Sequence, residues 1–334
     1  MSHHALRWGV LGSANIARKA LIPAIHAAVG NDLVAVASRD AATAERFANE
    51  SGDPSWYADY QSLLDDPQVD AVYVPLPNAL HAEWTVRALE AGKHVLCEKP
   101  LATSPAECRR MHAAADDADR RLMEAFMYRH HPRTKRLLEL VHGGTLGELR
   151  WVRASFSFAV RDPDNVRLDA ALAGGALMDV GCYGVDVARA LAGEEPDLAQ
   201  AHAVWAPSGV DESLIGSLRF PGGVVAQIAC SLAAPRTETY EVLGSEGRIQ
   251  VSQAFLPGRE ACEAWLERDG AAPERLAFEG TDQYRRMVEA FSDAVHANEA
   301  PVLGQDGAAN LRAIEGLYAS AHAGGATVPL AGQR

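Results

Sequence analysis

The chain has 334 residues, enough for about two domains at roughly 150 residues each. Lysine and arginine total 31 against 44 aspartate and glutamate, a formal charge of −13. That balance argues against nucleic acid or an anionic membrane as partner, because both demand basic patches. With 48% hydrophobic and 22% charged residues the chain reads as globular, neither disordered nor fibrous, and no apolar run approaches the ~18 residues that span a bilayer.

Taken in order, the first 125 residues alternate strand and helix patterns. Strands are predicted over 6–11, 33–37, 69–74, 94–97 and 122–126, with helices over 16–29, 41–51, 81–91 and 105–120; Pro23 interrupts the first helix. Short continuous apolar runs between amphipathic helices predict a doubly wound α/β fold with a parallel sheet covered on both faces. After about residue 147 the pattern changes. Strands are predicted over 149–159, 202–205, 213–220, 223–233, 240–244 and 247–252, joined by hairpin-type turns at Pro221-Gly222-Gly223 and Ser245-Glu246-Gly247. Helices are predicted over 176–192, 283–297 and 308–323. A second, largely antiparallel sheet follows, and the expected domains are 1–126 and 127–334, with a C-terminal segment that can pack back on the first.

Cys97, Cys108, Cys182, Cys230 and Cys262 are odd in number and scattered, with neither a CxxC pair nor a disulfide framework, so a cytoplasmic protein is expected. Met1 to Arg7 is too short for a secretory signal ahead of the first strand, and Ser2-His3-His4 has too few histidines for a metal site. No HExxH spacing or zinc-like Cys/His set occurs, so no catalytic metal is expected.

The string Gly9-Val10-Leu11-Gly12-Ser13-Ala14-Asn15-Ile16-Ala17 joins the first strand to the first helix. Small residues there let backbone N–H groups and the helix N-terminus approach a pyrophosphate. Its glycines are three apart, a departure from strict GxGxxG, and a tight turn without a ligand would look similar; the βαβ context favours the dinucleotide. The second strand ends Val36-Ala37-Ser38-Arg39-Asp40. A carboxylate commonly closes this strand in NAD-preferring sites, whereas Ser38 and Arg39 suit a 2′-phosphate, with Arg39 also able to stack on adenine. NADP is therefore expected over NAD, although a shifted strand end would bring Asp40 to the ribose.

Three further strings follow: Pro75-Leu76-Pro77-Asn78-Ala79-Leu80-His81, Glu98-Lys99-Pro100, and Gly174-Gly175-Ala176-Leu177-Met178-Asp179-Val180-Gly181-Cys182-Tyr183-Gly184-Val185-Asp186. In that order and spacing, with Glu124-Ala125-Phe126-Met127-Tyr128-Arg129 and the closing segment over 320–330, the chain resembles the glucose-fructose oxidoreductase / inositol dehydrogenase (Gfo/Idh/MocA) family along nearly its whole length. The resemblance implies an N-terminal Rossmann domain followed by a C-terminal α/β domain on an open, mostly antiparallel sheet. It implies that Lys99 is catalytic, with Glu98 and Pro100 holding its backbone. A lysine at the carboxyl end of a parallel strand can orient a substrate hydroxyl and lower a neighbouring acid's pKa.

Asp179, Tyr183 and Asp186 share one helical face by their i, i+4, i+7 spacing. Many family members carry histidine where Tyr183 stands; the tyrosine is similar to the branch with NADP-dependent D-xylose dehydrogenase and dimeric dihydrodiol dehydrogenase. Tyr183 is expected to move the proton that accompanies hydride transfer, and Asp179 to contact a substrate hydroxyl or orient the helix. The family pattern assigns Leu76, Pro77, Asn78, His81, Glu98 and Arg129 to the cofactor, helix capping being the alternative for Pro77, Asn78 and His81. For Arg129 the alternative is a solvated helix start shared with His130, His131 and Arg133. Asn165 and Arg167, with Asp169, precede the glycine-rich helix start as candidate substrate contacts.

The expected function is an NADP(H)-dependent oxidoreductase for a sugar or related polyol or diol, first an aldose 1-dehydrogenase of the D-xylose type. Alternatives are a trans-dihydrodiol dehydrogenase, a nucleotide-sugar 3-ketoreductase and, from another class, a non-catalytic NADP-binding regulator. The open sheet predicts a homodimer or a dimer of dimers.

Overall fold

The computed structural model describes residues 4–301 and 307–330, so the Ser2-His3 pair lies outside the described residues. The chain divides into two compact units, Met1–His130 with Asp282–Ala308, and His131–Thr281 with Ala309–Arg334. In the first, strands β1 (Leu6–Leu11), β2 (Asn31–Ala37), β3 (Ser55–Tyr57), β4 (Ala71–Val74), β5 (His94–Cys97) and β6 (Leu122–Glu124) form one parallel sheet in the order β3-β2-β1-β4-β5-β6. This is the doubly wound order. Every residue of β4 is buried, as expected of a strand covered on both faces.

Helices α1 (Ile22–Ala27), α2 (Ala41–Glu50), α3 (Tyr60–Leu64), α4 (Asn78–Glu90) and α5 (Pro105–Asp117) alternate with the strands. Their starts are set locally. Asp40, Asp59 and Ser104 accept the N–H groups of Thr43, Ser62 and Glu107. Ahead of α1 the chain makes a π turn over Ala17–Leu21, which accommodates Pro23, a residue that lacks the N–H for a regular helical bond. Neither β3 nor α3 is anticipated from the apolar pattern, because each is at most five residues long.

The second unit begins with α6 (Pro132–His142) and β7 (Leu149–Ser157), then α7 (Cys182–Ala192), β8 (Leu198–Trp205), β9 (Asp211–Arg219), β10 (Val225–Ser231), β11 (Thr237–Gly244), β12 (Gly247–Ser252), β13 (Cys262–Arg268) and β14 (Glu274–Phe278). Then α8 (Gln283–Ala297) returns to the first unit, where Phe291 packs 5.2 Å from the fully buried Trp8, whose indole N–H donates to Asn31. Last come α9 (Gly307–His322) and β15 (Val328–Pro329). The second sheet runs β14-β13-β12-β11-β7-β10-β9-β8-β15; β7 and β10 pair in parallel and the other neighbours are antiparallel.

The sequence expectation lacks α6, β13, β14 and β15, and three features of this unit depart from it in ways the packing explains. The α6 start looks polar, yet Arg133 is 1% exposed, its guanidinium donating to the carbonyls of Ser252, Gln253 and Ala254. In β13, Glu263, Trp265 and Glu267 alternate with buried Cys262, Ala264 and Leu266, so its charges hide a half-buried strand. Finally, the segment Ala170–Ala192 is long and apolar enough by length and composition to cross a membrane, although no uninterrupted apolar run marks it. It turns at Ala173, which has φ +55°, and 67% of its apolar window is buried, as in a core helix.

Candidate active site

The residues expected at the cofactor gather along the carboxyl edge of the first sheet. Gly12 follows β1 at φ +91°, and a Cβ there would stand 2.9 Å from Leu76 Cδ2 and 3.6 Å from Tyr60 Oη. Only glycine takes that conformation without strain while leaving the edge clear. Gly12 N–H donates to the Ala37 carbonyl and Ser38 N–H to that of Tyr57, which lays the ends of β1, β2 and β3 side by side. Ser13, Ala14 and Ile16 are partly exposed and Asn15 exposed, ahead of Arg18 N–H, which bonds back to Ala14. Gly9 instead faces Leu63 and Val69, so it serves packing under the turn.

Ser38 is buried and Arg39 exposed. Asp40 turns into α2, its carboxylate accepting Thr43 N–H at 2.8 Å, and these bonds hold its carboxyl below the usual range. That acid is committed to a helix cap. Burial raises the Tyr60 phenol, and the neighbouring Arg39 guanidinium opposes the rise. Tyr60 also meets the Trp84 ring edge-on at 4.9 Å. Tyr60 therefore stands beside both Arg39 and Gly12, a role the sequence reading missed; the only local signal is the Asp59 cap.

Lys99 follows β5 in a turn gripped from several sides. The Glu98 carboxylate accepts Tyr73 O–H at 2.5 Å and Lys99 N–H at 3.3 Å. Leu101 N–H donates to Glu124 at 2.8 Å, and the Lys99–Pro100 peptide is cis. The Pro100 carbonyl lies 2.9 Å from His81 Nδ1, and the Leu76 carbonyl 2.7 Å from His81 Nε2. A neutral ring donates to one of these carbonyls; only the imidazolium donates to both. Burial lowers the imidazole's pKa, and the two carbonyls work against that shift. His81 is fully buried, and its ring ties the Leu76 loop to the Lys99 turn. Pro77 is the N-cap residue of α4 and offers no side-chain bond, while Asn78 opens the helix half-buried. Arg129 is 9% exposed with its guanidinium 5.9 Å from the Phe126 ring, which removes the solvated reading.

In the second unit, a π turn over Leu177–Gly181 runs into α7 and carries Asp179 and Tyr183. Arg167 Nε donates to Asp179 at 2.7 Å, so two candidate substrate residues form one ion pair, and Arg167 lies over Phe158. The Tyr183 ring packs 5.5 Å from Phe156 and 5.2 Å from Phe255. Asn165 and Asp169 spend their side-chain oxygens on Arg167 N–H and Ala171 N–H, capping short 3-10 turns. They border a cavity of about 350 Å³ with Asp164 and Ser208. Among the described residues no group of three His, Cys, Asp or Glu side chains is arranged to hold a metal ion.

Two family models match this chain: an oxidoreductase family with an NAD-binding Rossmann fold over residues 6–126, and the Gfo/Idh/MocA C-terminal domain over 134–250. The chain belongs to the Gfo/Idh/MocA family. A D-xylose 1-dehydrogenase (NADP(+)) of Haloferax volcanii is 41% identical over 96% of this chain and 99% of its own. Among solved structures, a 3-ketoreductase from Actinomadura kijaniata in complex with NADP and TDP-benzene has a TM-score of 0.86 at 34% identity, covering 92% of this chain and 95% of that one. An aldose-aldose oxidoreductase from Caulobacter crescentus complexed with glycerol reaches 0.89 at 31%, covering 98% and 100%.

A nicotinamide dinucleotide, the cofactor implied by the family, fits this member's own residues. The left-handed Gly12 leaves room at the strand edge, and Ser38 and Arg39 close β2 while Asp40 is withdrawn into its cap.

Proposed function

We propose that this member of the family is an NADP(H)-dependent sugar oxidoreductase, acting first as an aldose 1-dehydrogenase of the D-xylose type. The observation that carries the reading is the end-to-end likeness to the Haloferax volcanii enzyme, with no large unmatched segment in either chain. The withdrawal of Asp40 and the exposure of Arg39 support the phosphorylated cofactor: Ser38 and Arg39 hold the 2′-phosphate, and the Gly12 turn with Ser13–Ile16 receives the pyrophosphate. Bound there, NADP(H) supplies the hydride chemistry at the substrate carbon.

The chain's own residues do the rest. The Tyr183 phenol takes the hydroxyl proton in oxidation and returns it in reduction. The Lys99 ammonium orients the reacting hydroxyl, and the turn built by Glu98, Glu124 and His81 keeps the lysine's backbone in place. Asp179, steadied by Arg167, accepts a neighbouring sugar hydroxyl.

Steady-state assays of NADP reduction by D-xylose and other aldoses, and of NADPH oxidation by nucleotide-linked keto sugars and diketones, test this. Turnover is expected with an aldose. Lys99→Met and Tyr183→Phe should each lower kcat by roughly 10²- to 10⁴-fold with NADP affinity held within about threefold. Tight NADP binding without turnover on any substrate would point to a regulator instead.

The protein is further read as a cytoplasmic homodimer formed through the outer face of the second sheet. None of its five buried cysteines forms a disulfide. That face exposes Ile215 and Val225 on neighbouring strands and Trp265 further along, which a second copy would cover. A monomer in sedimentation velocity would refute the dimer.

A further inference from the structure

The helical run that carries Asp179 and Tyr183 begins without a cap of its own: Ala176, the residue before the π turn, makes no side-chain capping bond. A carboxylate from a distant strand stands in. Asp211, the first residue of β9, is 1% exposed; one oxygen accepts Leu177 N–H at 2.7 Å and the other accepts the Tyr318 hydroxyl of α9 at 2.6 Å. Gly175 makes room for it, since a Cβ there would lie 2.1 Å from Asp211 Oδ1 and 3.0 Å from Tyr318 Oη. The Gly175 carbonyl in turn accepts Asp179 N–H at 3.0 Å. Gly175 therefore links the buried acid to the first of the two candidate catalytic side chains.

We propose that Asp211 is a positioning residue: its carboxylate, held by Tyr318, anchors the start of the Tyr183 helix and makes that anchor sensitive to acid. The reading rests on the assignment of Tyr183 above. An ionised carboxylate at a helix start satisfies N–H groups and complements the helix dipole, and a protonated one does so weakly. Burial pushes the Asp211 carboxyl up to about 6, against the Tyr318 hydroxyl and the N–H groups of Leu177 and Ala176, which favour the charged form. The titratable groups facing it are Tyr318 from α9 and Cys230 from β10, both held protonated by burial and by Asp211 itself. The helix start faces it with backbone.

Two readouts test the proposal, hydrogen exchange of the amides over 176–184 corrected for the intrinsic pH effect, and the pH profile of kcat. In the wild type kcat should fall as pH drops through about 6, whereas protection should rise, because a carboxyl whose pKa is raised in the folded helix start favours that state when it is protonated. In Asp211→Asn the step should vanish from both, with kcat lowered by about tenfold throughout and the KM for NADP within about twofold. Tyr318→Phe, which removes a donor to the charged form, should move the step to higher pH by roughly half a unit to one unit, and it carries the test if Asp211→Asn does not fold. Unchanged protection in Asp211→Asn, or an unmoved step in Tyr318→Phe, overturns the proposal. Wild-type turnover in Tyr183→Phe would overturn the catalytic assignment alone, because the exchange readout does not depend on activity.

Discussion

The cofactor edge of the first unit and the Tyr183 helix of the second are held in contrasting ways. Along the first edge, each anchor reaches the end of a nearby strand: Tyr73 to Glu98, Glu124 to Leu101, and His81 to Leu76 and Pro100. The spacings are those of one strand-helix repeat, because parallel strands placed side by side bring consecutive loops together. The Tyr183 helix is held by an aspartate 34 positions beyond Leu177 and by a tyrosine 107 positions beyond that aspartate. Order within one strand-helix repeat builds the first edge, and long-range order builds the Tyr183 helix. Changes at the first should therefore act on cofactor binding and on one turn, and changes at the second on turnover with cofactor affinity preserved.

The sharpest way to break that comparison is at His81, the joint of the first region. His81→Leu leaves one buried carbonyl, or two for the imidazolium, without a donor at about 1–3 kcal/mol each, so roughly 1–6 kcal/mol of stability should be lost in urea denaturation. The surviving folded protein should bind NADP less well, through the loosened Leu76 loop. If stability and NADP affinity both stayed at wild-type values, the loop and the lysine turn would not be coupled through this ring.

Arg39→Ala comes next. Loss of a charge-assisted contact to a 2′-phosphate should weaken NADP by about 10- to 100-fold and NAD by far less. Calorimetric titration with the two cofactors reads the ratio. Equal losses would mean that Arg39 only stacks on adenine, and the exposed end of β2 would then not select the phosphate.

The contrast also explains what was legible beforehand. The places of Gly12, Ser38-Arg39 and Glu98-Lys99-Pro100 could be read because each is a short string at the end of a predictable buried strand, and the order β2-β1-β4-β5 sets those ends along one edge of the sheet. The doubly wound sheet was legible for the same reason. Tyr60 was not, since a five-residue helix has too few turns to show an apolar face. That the His81 ring lies between two backbone carbonyls was not legible, because a string does not show which way a ring faces. A solvated helix start stayed open as the alternative for Arg129 to Arg133 because nothing local reveals that Arg133 lies under three backbone carbonyls. Asp211 and Tyr318 left no trace at all: neither belongs to a motif, and their meeting at Gly175 depends on how β9 and α9 pack on one helix start.

The smallest predicted effect tests the cofactor reading most selectively. Asp40 is the one carboxylate at the end of β2 that could have received a ribose diol, and its bonds to Thr43 depress its carboxyl's pKa, so it stays ionised down through the usual carboxylate range. A depressed pKa means that its contribution to stability is present above the ordinary value and fades as pH falls through the folded one. Asp40→Ala should therefore lower the melting temperature slightly at neutral pH, with the difference from wild type shrinking in acid. The ratio of NADP to NAD affinity should stay within about twofold of wild type. A clear drop in NAD affinity would place the carboxylate on the ribose. In that case the end of β2 would bind through the acid as well as the arginine, and local capping would not be the reason this edge prefers a phosphorylated cofactor.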